Sequence, residues 1–432
     1  MVNEMLSFLK KTPSVFHAIR NLGEMLEKEG FERLDESGKW QLKNGGKYYV
    51  TRNLSSLIGF IVPEKTPDCL MITASHCDSP VFKLKENAEL EVRGRYVQLD
   101  TERYGGLIYS SWLDRPLSMA GRVLVRTDKG VETRLIDLDK DAMLIPNVAI
   151  HMQRDLNDGH KYNPQSELLP LYSDINSKGK LKAHIAELAG VKEEDILGHD
   201  IFLYSRTAPM IWGPNEEFVS AGRLDDLECA YTTVKAITLC HPTGSLPVVA
   251  VFDNEEVGST TKQGADSTFL TDVLHRITLN LGMDEEAFQR LRASSLMVSC
   301  DNAHAMHPHH PEYSDSANTV YMNEGIVIKE SANQKYTSDG VSKALLRSIL
   351  EKAGVPCQFF ANRSDMQGGG TLGNISNSHF SLNTVDIGLA QLSMHSTYET
   401  AGTRDVEYMI NGMKAVYEAD LITNADGDYE LK

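Results

Sequence analysis

An α/β fold interrupted by a β-rich insertion is what this 432-residue chain predicts, and three observations carry the prediction. Apolar runs of strand length alternate with stretches of helical periodicity at both ends of the chain. Between about residues 87 and 220 that grammar gives way to short alternating stretches broken by turns. Histidines and carboxylates stand directly after several of the apolar runs, where an open α/β sheet presents its ligand-binding edge.

The first helix is expected near Thr12-Pro13-Ser14, where a hydroxyl cap and an early proline precede the stripe Val15, Ile19, Leu22 and Leu26, and Gly30 ends it. Strands follow at 47–51, 57–62 and 70–74. Alternating stretches at 89–92, 96–99, 121–126 and 133–136 then read as a mainly β segment. From Asp225 to Leu239 a helical pattern resumes through Leu227, Ala230, Val234 and Ile237. The expected division is therefore 1–86 and 221–432 for the α/β part, with 87–220 as the insertion. Insertions of this kind sit on loops and often build oligomer contacts or close a site. No repeat is present, and Gly368-Gly369-Gly370 is the one low-complexity tract.

A formal net charge of -17 argues against nucleic acid or an anionic membrane surface as partner. The six cysteines have no C-x-x-C spacing, so a reducing compartment is expected and neither a zinc ribbon nor a disulfide framework is indicated. The segment from Met1 to Lys11 lacks a basic head followed by a long apolar stretch, and no segment approaches bilayer-spanning length. A cytoplasmic protein is expected.

Glu255 and Glu256 follow the apolar run 246–252; His76 and Asp78 follow 70–74; Asp301 follows 296–300; His395 lies beyond 385–390. On extended chain, Glu255 and Glu256 would point to opposite sides, one toward a metal and one toward a substrate or water. Asp225 opens a helix, and such carboxylates are first of all caps, but its position between insertion and sheet also lets it reach the site. Histidine and carboxylate ligands without thiolates suit zinc, and also cobalt or manganese. A two-metal site needs a bridging carboxylate, further ligands for each ion and a free acid for protons. His76, Asp225 and Asp301 would hold one ion, and Asp225, Glu256 and His395 the other. Glu255 remains as general base, and Asp78 is placed to accept the second imidazole N–H of His76. Each signal alone is weak, since an isolated His-x-Asp or Glu-Glu pair is usually surface charge; their joint appearance after strand-like runs is not easily chance.

With these motifs the chain resembles the M18 metallopeptidases, the aspartyl aminopeptidase family. The resemblance runs through residues 75–80, 112–115, 147–151, 222–225, 253–259, 301–305 and 391–395, in the family order. It implies a co-catalytic di-zinc aminopeptidase acting on peptides, with the ligands and base just given. It also implies an α/β/α sandwich interrupted by a β-rich dimerisation domain, with dimers assembling into a tetrahedral dodecamer. His151 matches a histidine that reaches a neighbouring subunit's active site, although by itself it reads as an ordinary histidine in an apolar strand. Lys329 matches a lysine near the substrate side-chain pocket, although a lone lysine is normally solvated. Gly370 and Thr371 match a loop lining the substrate cleft. Cys77 stands where the eukaryotic aspartyl enzymes have threonine, and 366–370 also departs from their pattern. Preference for acidic amino-terminal residues is thereby in doubt, and neutral or broad specificity stays open. Among the four histidines of 304–310, His304 is expected to support Asp301 from behind.

Two other readings compete. A metal-dependent deacylase of N-acyl amino acids would use the same ions and glutamate, but would require the acyl group that blocks an aminopeptidase. A catalytically silent assembly protein would have little reason to retain Glu255 beside five ligands.

Overall fold

The run at 70–74 is apolar on both faces, as a strand covered from two sides must be. In the computed structural model, which describes residues 1–432, it belongs to the strand Cys69–His76 near the middle of a nine-stranded sheet. From edge to edge the strands are Glu32–Leu34, Lys47–Arg52, Ser56–Ile61, Ser245–Phe252, Cys69–His76, Leu296–Cys300, Asn383–Gly388, Ile326–Glu330 and Cys357–Ala361. The four from Ser245–Phe252 to Asn383–Gly388 run parallel. Their register is level at the carboxyl end: Phe252 pairs with His76, Ser299 with Ala74 and Cys300 with Ile387. Residues just past these strands therefore emerge side by side.

Alternate side chains fill two cores. Met71, Val249, Val251, Val298 and Val385 pack on one face with the helices Val2–Lys10, Val15–Lys28, Leu224–Leu239, Gly340–Lys352 and Thr403–Glu418. Leu70, Ile72, Val248, Ala250 and Met297 pack on the other with Phe269–Asn280, Glu285–Ala293 and Leu372–His379. The chain is an α/β protein of this layered kind. One helix was not expected: Val2–Lys10 precedes the foreseen first helix and buries Met5, Phe8 and Leu9. Its spacing is helical, but nine residues are too few to carry a periodic signal far.

A six-stranded antiparallel sheet has its own core around Phe82, Leu99, Leu117, Met119, Val123 and Ile201. Its strands come from Val81–Val92, Tyr96–Tyr104, Leu117–Thr127, Gly130–Asp137, Leu171–Asp174 and Ile196–Ser205. A smaller five-stranded sheet pairs the returning strand Phe218–Ala221 with Glu399–Gly402, and also contains Ala390–Leu392 and Ala303–His304. That sheet brings the segment before Asp225 against the segment after His395. No helix is long and apolar enough to cross a membrane, and all six cysteines are free thiols.

Candidate metal centre

Because the parallel strands end at one level, His76, the 253–256 turn and Asp301 converge at the same sheet edge. His76 Nε2 lies 3.7 Å from Asp225 Oδ1 and 3.8 Å from Asp301 Oδ1. His395 Nε2 lies 3.4 Å from Asp225 Oδ2 and 3.3 Å from Glu256 Oε2. Ligand atoms about 2.1 Å from a tetrahedral zinc ion stand about 3.4 Å from one another, so both sets have the spacing of ligands around a shared cation. Three groups of donor atoms lie within 4.8 Å of one another: His76, Asp225, Asp226 and Asp301; Asp225, Glu256 and His395; and His76, Glu255 and Glu256. Asp225 belongs to two of them, one carboxylate oxygen facing each histidine.

The donors fit a cation for a second reason. Asp225 Oδ1, Asp226 Oδ1 and Glu256 Oε1 are buried and accept no hydrogen bond, an arrangement that is expensive for a carboxylate unless a positive charge faces it. The titration behaviour agrees in sign. Burial, with Asp301 and Glu256 adding to it, pushes the Glu255 carboxyl up to about 8. Burial and Asp225 push Glu256 to about 7 against the pull of His395. Burial opposes the charged form of His395, yet Asp225 and Glu256 outweigh it and hold the imidazole at about 11. For His76, burial is likewise overridden, by Asp226, Asp301 and Asp78. Negative charge is in excess, and the protein by itself can neutralise it only by holding protons.

Each histidine is aimed by its other nitrogen. His76 Nδ1 is 3.1 Å from the Asp78 carbonyl and 3.3 Å from its carboxylate, while His395 Nδ1 donates to Gly106 O at 2.8 Å. Gly106 follows the strand Tyr96–Tyr104 of the six-stranded sheet, so that sheet helps orient a histidine at the centre. Asp78 does more than was expected of it: its carboxylate also accepts the backbone N–H of Glu255 and of Glu256, both at 3.1 Å, and the Tyr104 hydroxyl at 2.7 Å.

Several expectations are corrected here. Glu255 and Glu256 are not on extended chain; they form a 3-10 turn, Glu255–Val257, entered through Asn254 at φ 64°. Both still reach the centre, because successive side chains of so tight a turn diverge by about a third of a revolution. Asp225 does not cap its helix, since Asp225 and Asp226 have non-helical backbone angles and the Asp225 carboxylate faces the histidines. Lys329 is not solvated: it is 2% exposed, and its ammonium donates to the Asp301 carbonyl at 2.8 Å and lies 3.9 Å from Asp301 Oδ2. Burial alone would raise Asp301, but Lys329 and then His76 hold it down at about 2. His304 is exposed, and no hydrogen bond ties it to Asp301. His151 is in an exposed turn of the insertion, not an apolar strand, and no hydrogen bond joins it to these residues. Thr371 is buried with its hydroxyl donating to Asp386 Oδ1 at 2.6 Å, while Gly370 is exposed.

Sequence reasoning missed Asp226 and Glu399. Asp226 Oδ2 accepts the His76 backbone N–H at 3.0 Å, and Glu399, fully buried, accepts those of Asp225 and His395. The Asp225-Asp226 pair was visible in the sequence, but nothing local distinguishes its second member from a surface acid.

Fold and donor set together are those of a candidate metal-dependent enzyme. A family profile described as aminopeptidase I zinc metalloprotease (M18) matches residues 8–417. A probable M18 family aminopeptidase 2 of Clostridium novyi is 43% identical over 424 residues, covering 96% of this chain and 98% of its own. Among solved structures, the Ape4 and Nbr1 complex contains a chain similar at TM-score 0.92 and 34% identity, covering 96% of this chain and 85% of that one. The S. cerevisiae mApe1 dodecamer is similar at TM-score 0.81 and 26% identity, over 96% and 97%. The chain belongs to the M18 family and is a zinc-dependent aminopeptidase, a hydrolase.

Proposed function

We propose that this aminopeptidase works with two divalent ions, zinc foremost, one held by His76, Asp225 and Asp301 and the other by Asp225, Glu256 and His395. The observation that carries the reading is the pair of donor groups sharing Asp225. When bound, the ions supply Lewis acidity toward a water and the scissile carbonyl. Glu255, whose carboxylate accepts no hydrogen bond from the protein and stands within the group formed with His76 and Glu256, takes the proton of the attacking water. It then delivers that proton to the leaving amine. Asp78 fixes both the His76 ring and the backbone of the Glu255–Glu256 turn. Because Lys329 is buried against Asp301, we place it with the ligand it supports. A substrate's acidic side chain then has no dedicated cation there, and neutral or broad specificity follows. The exposed turn bearing His151, flanked by the exposed apolar side chains Val148, Ile150 and Met152, suits contact with another subunit. We therefore take the 87–220 insertion as the dimerisation domain, His151 as a residue donated across subunits and the assembly as a tetrahedral dodecamer built from dimers, in a reducing, cytoplasmic setting.

The test combines metal analysis with a panel of acidic, neutral and basic aminoacyl anilides. Two ions per chain, chelator-sensitive turnover and loss of turnover on acetylating the α-amine are expected. Glu255→Gln should keep both ions and lower turnover on the order of 100-fold to 10,000-fold; unchanged turnover would refute the assigned base.

A further inference from the structure

Three buried carboxylates around the centre bind no histidine by its Nε2 and yet hold the backbone of those residues that do the binding. Asp226 takes the N–H of His76, Asp78 those of Glu255 and Glu256, and Glu399 those of Asp225 and His395. Glu399 differs from the other two because its two partners come from distant parts of the chain. Its Oε2 accepts from Asp225 at 3.1 Å and its Oε1 from His395 at 2.7 Å. It is 1% exposed, and these are the only hydrogen bonds of its carboxylate. Its own position is set by the pairing of Ala221 with Glu399 in the five-stranded sheet. His395 has φ 69°, a left-handed backbone that a side chain opposes, and an accepted N–H at that residue holds it there. One side chain thus ties His395, a ligand of the Asp225–Glu256–His395 position alone, to Asp225, the ligand that both positions share, and it makes no hydrogen bond to His76 or Asp301.

We propose that Glu399 is a positioning residue that sets the affinity of the Asp225–Glu256–His395 position selectively over the His76–Asp225–Asp301 position. This rests on the two-ion reading above. In Glu399→Gln the carbonyl can accept one of the two N–H groups, and the amide nitrogen turns a donor toward the other, so one ligand's backbone is released. Metal-stripped protein titrated with cobalt, followed by visible absorption and by calorimetry, should take two equivalents when wild type. The variant should bind the first normally and the second about 10-fold to 100-fold more weakly, within the range for removing an outer partner of a metal ligand. Glu399→Asp, which keeps both acceptors on a shorter stem, should show the same selectivity to a smaller degree and serves if the glutamine variant does not fold. Wild-type affinity for both equivalents, or equal weakening of both, would overturn the proposal alone. A wild type that takes only one equivalent would overturn the two-ion reading itself, and the proposal with it.

Discussion

His17 shows how a single side chain answers to its surroundings away from the centre. It is buried in the helix Val15–Lys28, with Nδ1 2.8 Å from the Ser14 hydroxyl, and burial, with Arg20 adding to it, lowers its pKa to about 4. Unfolded chain takes up the proton near pH 6.5 while the native protein refuses it until about 4. Stability is therefore lost as pH falls through that window, by at most about 3 kcal/mol at 1.36 kcal/mol per pKa unit. His17→Gln should close part of its stability gap to the metal-loaded wild type between pH 6.5 and pH 4; melting curves showing a constant gap would count against this. Residue identity alone made His76, Glu255, Glu256, Asp301 and His395 legible, because histidines and acids after apolar strands have few structural reasons to be there. Lys329 was not legible, since the sequence cannot say whether a lysine at a strand end faces water or a neighbouring carbonyl.

At the scale of elements, the centre depends on how closely strands approach. A Cβ added at Gly388 would stand 2.0 Å from the Asp301 carbonyl oxygen, where both partners are backbone and neither can swing aside. Gly388→Ala should therefore displace the Asp301 segment, costing about 1–3 kcal/mol of stability and weakening metal retention. Metal content after gel filtration, read beside a thermal melt, checks this, and normal metal retention would remove Gly388 from the account. The central strands of the covered sheet were read with good bounds because Leu70, Val248 and Val298 lie in runs that such a sheet requires, whereas the insertion strands were read short, 89–92 within Val81–Val92 and 96–99 within Tyr96–Tyr104. The short elements were not, among them the Glu255–Val257 turn and the Val2–Lys10 helix. Their conformation is set by what packs on them, here Asp78 for the first and the Leu224–Leu239 helix and its neighbours for the second.

For the whole molecule the question is whether one chain suffices. Coexpressing Glu255→Gln with His151→Phe should restore activity that neither variant has alone. In random assemblies about a quarter of the sites would combine an intact Glu255 with a neighbour's intact His151. A mixture as inactive as its components would mean that His151 is not shared between subunits.

The sequence by itself determined the α/β class, the candidate ligand types and the family resemblance, because burial periodicity and donor chemistry are local properties written residue by residue. Only the tertiary structure decided that Asp225 faces both histidines, that Asp226 joins the donor group around His76, that Glu399 holds the backbone of two ligands, and that Lys329 is buried against Asp301. The physical reason is that a buried carboxylate or ammonium takes its role from the partners that offset its desolvation. One such partner, the Glu256 backbone N–H that Asp78 accepts, lies 178 residues away along the chain.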